Sequence, residues 1–204
     1  MGSMPLVLSG FMIKYKVDGT LDKYKARLVA KGYVQQEGID YEKTFAPVAK
    51  MTTVRLVLAV ATHHGWPVAQ MDVKSAFLNG ILEEEVYVQQ PQGFEIKDKE
   101  RLVCKLKKAL YGLKQAPRAW YSRIDEYLTK NGFMRSKNDS NLYVFHENAN
   151  LLLIIVYVDD LVITGSRTSL IERIKKCLPI EFDMKDLGQL HYCLGIEVWR
   201  PPWN

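Results

Sequence analysis

The sequence predicts an α+β fold with a mostly antiparallel sheet and packed helices, and three kinds of pattern carry that prediction. Turn signals join adjacent strand-like runs at hairpin spacing, at Asp18-Gly19 and again at residues 146–150. Separate segments repeat apolar residues at helical period. Near the end of the chain, Leu190, Tyr192, Leu194, Ile196 and Val198 alternate with polar or small neighbours, the period of a half-buried strand.

Each element follows in order. Residues 11–34 alternate around Asp18-Gly19, with Tyr24 to Val29 as the returning strand of a basic ribbon. Thr52 to His64 is helical and stops at Gly65, with Pro67 just beyond. A strand through Val68 to Val73 follows. Val86 to Val88 and Leu102 to Cys104 read as short strands flanking a polar loop. Trp120, Tyr121, Ile124, Tyr127 and Leu128 recur at helical spacing before Gly132 and make an amphipathic helix suited to packing on a sheet. Leu142 to Phe145 and Leu151 to Tyr157 form a hairpin. Ser169 and Glu172, at capping-box spacing, open a helix through Leu170, Ile171, Ile174 and Leu178 that Pro179 closes.

Composition bounds the function. At 204 residues and 48% hydrophobic content the chain can bury the core of one or two domains, which excludes disordered and fibrous classes. Three cysteines, odd in number and without a C-x-x-C pair, indicate reduced thiols in an intracellular protein. The apolar run Leu151 to Val158 is far short of the ~20 residues of a membrane span. No secretory signal opens the chain, Leu6 breaks the myristoylation pattern, and residues 1–10 are expected to fray. No histidine set has metal-ligand spacing, so zinc is not expected.

The chemistry-bearing feature is carboxylate. Asp159 and Asp160 interrupt the apolar stretch LLLIIVYVDDLVITG, where two adjacent charges repel and are costly to desolvate without a cation. Taken alone, a solvated Asp-Asp turn is as good a reading. Asp72 ends another apolar strand before a turn or short helix; by itself it is more often a helix N-cap than a ligand. Together, three carboxylates at strand ends suit a pair of magnesium ions about 3.5–4 Å apart and in-line displacement at phosphorus. Neither G-x-x-x-x-G-K-[ST] nor G-x-G-x-x-G occurs, which disfavours a P-loop ATPase or Rossmann oxidoreductase.

Four blocks then make the chain recognisable: Tyr157-Val158-Asp159-Asp160, Gln70 to Gly80 (QMDVKSAFLNG), Ala109 to Trp120 (ALYGLKQAPRAW) and Tyr24 to Gly32 (YKARLVAKG). Together they resemble the reverse transcriptase of copia-type (Pseudoviridae) LTR retrotransposons. The resemblance implies the palm and fingers of a right-hand polymerase over residues 11–204, ending at the primer-grip strand, and RNA-directed DNA synthesis. Because the sequence stops at Pro201-Pro202-Trp203-Asn204, the thumb and ribonuclease H domain are expected to be absent.

By the same resemblance, Asp72 and Asp159 are the principal ligands of two Mg2+ ions, with Mn2+ a possible substitute. The carbonyl of Val73 assists and Asp160 supports the site. Phe77, five residues beyond Asp72, is the aromatic that rejects a ribose 2′-hydroxyl; without the resemblance it reads as core. Tyr111 and Gly112 line the nucleotide pocket, and Lys114 and Arg118 are placed to meet phosphate. Lys25 and Arg27 share one strand face and suit a triphosphate clamp, Arg27 being preferred for the fingers arginine. Lys185 is a weaker candidate for protonating pyrophosphate, and a surface lysine is the better reading of it. Tyr157 rests against the primer end or simply packs its strand. Gly195, Ile196 and Glu197 resemble the primer grip.

The formal charge of +5 conceals a basic stretch: residues 97–137 carry twelve Lys or Arg against four Asp or Glu, a net +8. Such a stretch suits template and primer phosphates, or is a solvated face. The expected partners are an RNA or DNA template–primer, deoxynucleoside triphosphates, and the integrase and ribonuclease H of a polyprotein, with no membrane. The expected setting is cytoplasmic, in a virus-like particle, or nuclear. Two rival readings stand beside this one: a truncated relic that binds nucleic acid without polymerising, and a carboxylate-metal nuclease, which leaves Phe77 and Tyr111-Gly112 unexplained.

Overall fold

The computed structural model describes residues 7–15 and 18–198. They fall into two compact units, one of Met1–Ala46 with Phe77–Arg123, the other of Pro47–Ala76 with Ile124–Asn204. In chain order the elements are β1 (Val7–Tyr15), β2 (Leu21–Ala30), α1 (Met51–His63), β3 (Val68–Val73), β4 (Tyr87–Gln89), β5 (Val103–Lys105) and α2 (Ala116–Lys130). There follow β6 (Met134–Arg135), β7 (Leu142–Glu147), β8 (Asn150–Tyr157), β9 (Asp160–Gly165), α3 (Thr168–Glu181), β10 (Met184–Gln189), β11 (Tyr192–Cys193) and β12 (Ile196–Glu197). Every pairing between these strands is antiparallel.

The second unit is built on a six-stranded sheet in the order β10-β3-β9-β8-β7-β6. Its central strands β8 and β9 are buried on both faces from Leu152 to Val156 and from Leu161 to Gly165, so their sequence is almost continuously apolar instead of alternating, the buried Thr164 hydroxyl being satisfied by the Pro67 carbonyl at 2.8 Å. On one face Val54 and Val57 of α1 cluster with Leu153, Ile155, Val162, Leu190 and Cys193. Helix α1 ends as the sequence predicts. Gly65 adopts φ +66°, and the N–H groups of Gly65 and Trp66 donate to the carbonyls of Thr62 and Ala61, which satisfies two terminal acceptors.

The start of α1 depends on a residue far away in sequence. No side chain of its own N-cap, Lys50, serves it. Instead Asp139, 5% exposed, accepts the Lys50 N–H at 2.9 Å and the Asn141 N–H at 3.0 Å. Burial pushes this carboxyl up, but hydrogen bonds from Thr53, Lys50 and Asn141, with the Lys50 charge, together hold it below the usual carboxylate range. A depressed folded pKa stabilises the fold above the unfolded value and the effect is lost as pH falls through the folded one. Asp139→Ala is therefore expected to cost about 1–3 kcal/mol at neutral pH, from donors left without an acceptor. Urea denaturation at pH 7 and pH 3 checks this, because the difference between wild type and variant should shrink in acid.

Three expectations are corrected. Helix α3 starts at Thr168 with Arg167 as N-cap and no side-chain cap, so Ser169 does not open a capping box, and Pro179 lies inside the helix. In the last turn Pro179 removes only one backbone donor, while Leu178 remains fully buried and holds the helix to its neighbours. The alternating run from Leu190 to Val198 is not one strand. Leu194 and Gly195 have φ of +52° and +79°, which folds β11 back on β12 as a two-residue hairpin. Of the ten residues expected to fray, 1–6 lie outside the described residues, as do 199–204, and Val7 to Gly10 pair with β2 from Ala30 to Arg27.

In the first unit β1 and β2 form the expected ribbon around the Asp18 turn, where Asp18 accepts both the N–H and the hydroxyl of Thr20. A small core of Ala30, Val86, Val88, Ala109, Leu110, Leu113 and Ala116 receives Phe77 and Leu82 at its edge.

Candidate active site

The carboxylates are placed by strand register. On β3 the residues alternate, with Ala69, Met71 and Val73 buried and Gln70 and Asp72 half-buried on the opposite face. Asp72 stands directly across from Asp160 of β9, and Asp160 is also the closing partner of Tyr157 in the β8–β9 hairpin. Asp72, Asp160 and Gln70 thus share a sheet face, at the strand end beyond the Val162 cluster. The two turn residues are Val158 and Asp159. Val158 has φ +54°, a left-handed conformation that a β-branched residue adopts only at a cost of about 1–3 kcal/mol. The turn is tied to β3 by the Val73 N–H, which donates to the Asp159 carbonyl at 2.7 Å.

Asp160 is half-buried beside the other two carboxylates. Burial, with the like charges of Asp159 and Asp72, pushes its carboxyl above the usual carboxylate range, against an opposing hydrogen bond from Gln70. Gln70 Nε2 donates to Asp160 Oδ1 at 3.0 Å. Mutual repulsion is consistent with the side-chain arrangement: among the described residues, no group of three or more His, Cys, Asp or Glu is gathered closely enough to hold a metal ion. Register and backbone bonding bring the three aspartates together; their carboxylates do not converge. The chemistry of the donors, carboxylate oxygens on adjacent strand ends, is of the kind that hard divalent cations take, although the three side chains are not gathered around one point.

The other predicted residues of this unit fall nearby or apart as follows. Lys185 of β10 is the cross-strand partner of Asp72 and is exposed. Tyr157 packs on the Val162 cluster, in line with an ordinary strand role. Gly195, Ile196 and Glu197 lie in and after the β11–β12 turn. That hairpin is anchored by buried Cys193, which packs in the Val162 cluster and whose thiol is pushed up by burial and then by the Asp160 charge.

In the first unit the structure assembles a second set. Lys25 and Arg27 share the less exposed face of β2. The Arg27 guanidinium lies 4.8 Å from the centroid of the Tyr111 ring, and that ring lies 5.1 Å from Phe77. Tyr111 is fixed by its backbone, its carbonyl accepting the Ala30 N–H at 2.7 Å. Gly112 (φ +89°) makes the approach possible, since a Cβ there would stand 2.0 Å from the Ala30 carbonyl oxygen.

Lys114 is engaged within its own unit. Its ammonium donates to the Gln35 carbonyl and the Tyr41 hydroxyl, both at 3.2 Å, and lies over the Tyr41 ring. It ties a loop down, as do the buried Gln35 and Gln115, whose amides bond to each other at 3.0 Å. Arg118 donates to the Phe45 carbonyl at 3.5 Å and lines a small cleft that also holds Glu83 and Glu84, an unfavourable place for phosphate. The basic stretch is not one patch by continuity: nine of its twelve cations belong to the first unit and three to the second. Lys105, Lys130 and Arg135 are paired with Glu85, Glu126 and Asp125.

Sequence reasoning missed Gln70, Gln35, Gln115, Asp139 and the anchoring role of Cys193. Only Gln70 carried a signal, lying two residues before Asp72 and so on the same strand face.

Comparison with known proteins bears on this arrangement. A family model described as reverse transcriptase (RNA-dependent DNA polymerase) matches residues 9–201. The retrovirus-related Pol polyprotein from transposon RE1 of Arabidopsis thaliana is 50% identical over 192 residues, 94% of this chain and 13% of that protein. The Pol polyprotein from transposon TNT 1-94 of Nicotiana tabacum is 45% identical over 203 residues, 98% of this chain and 15% of that protein. The transposon Ty1-MR1 Gag-Pol polyprotein of Saccharomyces cerevisiae is 33% identical over 205 residues, 95% of this chain and 11% of that protein. The chain thus spans between 11% and 15% of the length of these three relatives.

Proposed function

This chain belongs to the reverse transcriptase (RNA-dependent DNA polymerase) family, of the copia type, and we propose that it extends a primer on an RNA or DNA template by nucleotidyl transfer. The observation that carries the proposal is the pairing of Asp72 with Asp160 across β3 and β9, with Asp159 bonded back to β3 in the turn between. In this reading the second unit is the palm and the first the fingers, and the segment works within a longer Pol polyprotein beside integrase and ribonuclease H.

Magnesium ions, when bound, supply positive charge that activates the primer 3′-hydroxyl and stabilises the departing pyrophosphate. Asp72 and Asp159 would hold them with the Val73 carbonyl, and Asp160, bonded by Gln70, supports the pair. Arg27, with Lys25, meets triphosphate charge through a planar, permanently protonated fork. Phe77 stands against the sugar and excludes a 2′-hydroxyl. Lys185, opposite Asp72, is a proton donor toward pyrophosphate. Lys114 is left out of the phosphate contacts because its ammonium is already engaged. The β11–β12 hairpin is the primer grip.

Single-nucleotide incorporation on a preformed RNA template–DNA primer tests the proposal; retained template–primer binding with no incorporation would instead favour a binding-only relic. Template–primer affinity should also fall about 10²-fold between 50 and 200 mM salt if about four phosphates are contacted. A flat salt response in a filter-binding titration would remove the basic stretch from the interface.

A further inference from the structure

The first unit places one ring between two groups that the proposed function treats as separate. Tyr111 has the Arg27 guanidinium 4.8 Å from its ring centroid and Phe77 5.1 Å away at 57°. Its own backbone is held to β2 through Ala30 and through the glycine contact at residue 112. Phe77 also packs, half-buried, against the small core that includes Val86, Val88 and Ala109, so its ring is held between that core contact and its tilted contact with Tyr111. A tilted pair of this kind has a preferred geometry that a branched aliphatic side chain does not reproduce.

We infer that Tyr111 is a positioning residue for sugar selection: it holds the Phe77 ring where a 2′-hydroxyl would clash, and does so independently of its contact with Arg27. The inference rests on the reading of Phe77 as the sugar-facing residue, and goes beyond it by assigning the support of that ring to a residue in another sequence block. Loss of the ring should release Phe77, admit ribonucleotides and leave triphosphate recognition to Arg27. Loss of Arg27 should weaken both kinds of nucleotide alike.

The test compares wild type, Tyr111→Leu, Tyr111→Phe and Arg27→Ala, each first shown to be folded by thermal denaturation. kcat and KM for dTTP and ribothymidine triphosphate, which differ only at the 2′ position, are measured on one template–primer, and binding of the same two nucleotides by ligand-observed NMR. Expected for Tyr111→Leu is a loss of about tenfold in the deoxy-over-ribo ratio, mainly through a lower KM for the ribonucleotide. Tyr111→Phe should keep the wild-type ratio, and Arg27→Ala should raise both KM values with the ratio unchanged. A Tyr111→Leu protein that incorporates dTTP with wild-type selectivity overturns the inference and leaves the polymerase reading standing. A wild-type chain that neither incorporates dTTP nor prefers it in binding overturns both.

Discussion

Asp159→Asn is expected to lower single-nucleotide incorporation on an RNA template by about 10³-fold or more, with template–primer affinity changed little. The size follows from the role: metal-borne charge stabilises the transferring phosphoryl group by several kcal/mol, and each ~1.4 kcal/mol is tenfold in rate. An amide is isosteric with the carboxylate and keeps a carbonyl oxygen, but it lacks the charge that attracts the cation. Asp72→Asn should act alike, because Asp72 lies directly across the ladder from Asp160 and shares the same field. Asp160→Asn should be milder. In the proposed site it supports Asp72 and Asp159 instead of holding the ions itself, and Gln70 donates to one of its oxygens. Rapid-quench incorporation, with thermal denaturation as the folding control, separates these outcomes. Wild-type rates in a folded Asp159→Asn protein would sink the polymerase mechanism, and equal losses in all three variants would argue against a supporting role for Asp160.

How much of this was legible in the sequence divides along a physical line. Local signals were readable. Asp18-Gly19 turns the ribbon, Gly65 ends α1, Gly132 (φ +85°) ends α2, and the interruption of an apolar run at Asp159-Asp160 marks a tight hairpin. These are properties of a few consecutive residues, set by backbone conformation and burial. What could not be read was the pairing of distant segments. Asp72 and Asp160 meet only because β3 pairs with β9 in one register, and a slip of one residue would put them on opposite faces. The cap of α1 by Asp139 crosses 89 residues of sequence. Lys114 reads as a phosphate ligand through the resemblance of its block alone, and nothing in the sequence marks its bonds to Gln35 and Tyr41, more than 70 residues away. Two local readings failed for local reasons as well. A proline tolerated in a last helical turn and a turn at Leu194-Gly195 both leave the hydrophobic period intact, so the period alone does not show them.

The largest stability effect should come from Gly112→Ala, about 3–5 kcal/mol, a large share of the total stability of a domain. Two costs combine. At φ +89° an alanine is strained by about 1–3 kcal/mol whatever surrounds it. Its Cβ would also stand 2.0 Å from the Ala30 carbonyl oxygen and 2.8 Å from Val29 Cγ1, an overlap with backbone that rotamer changes cannot relieve. Relief means separating β2 from residues 111–112, which stretches the Ala30 N–H bond to the Tyr111 carbonyl. Gly19→Ala is the matched control: its φ is +81°, but nothing lies within 4 Å of the added carbon, so only the strain remains and about 1–2 kcal/mol is expected. Urea denaturation of the two variants isolates the crowding as their difference. Because the Ala30–Tyr111 bond also fixes the ring beside Phe77 and Arg27, Gly112→Ala should in addition weaken nucleotide discrimination, which Gly19→Ala should leave untouched. Equal destabilisation by the two substitutions would mean that residues 30 and 112 are not in backbone contact, and would remove the support on which the position of Tyr111 depends.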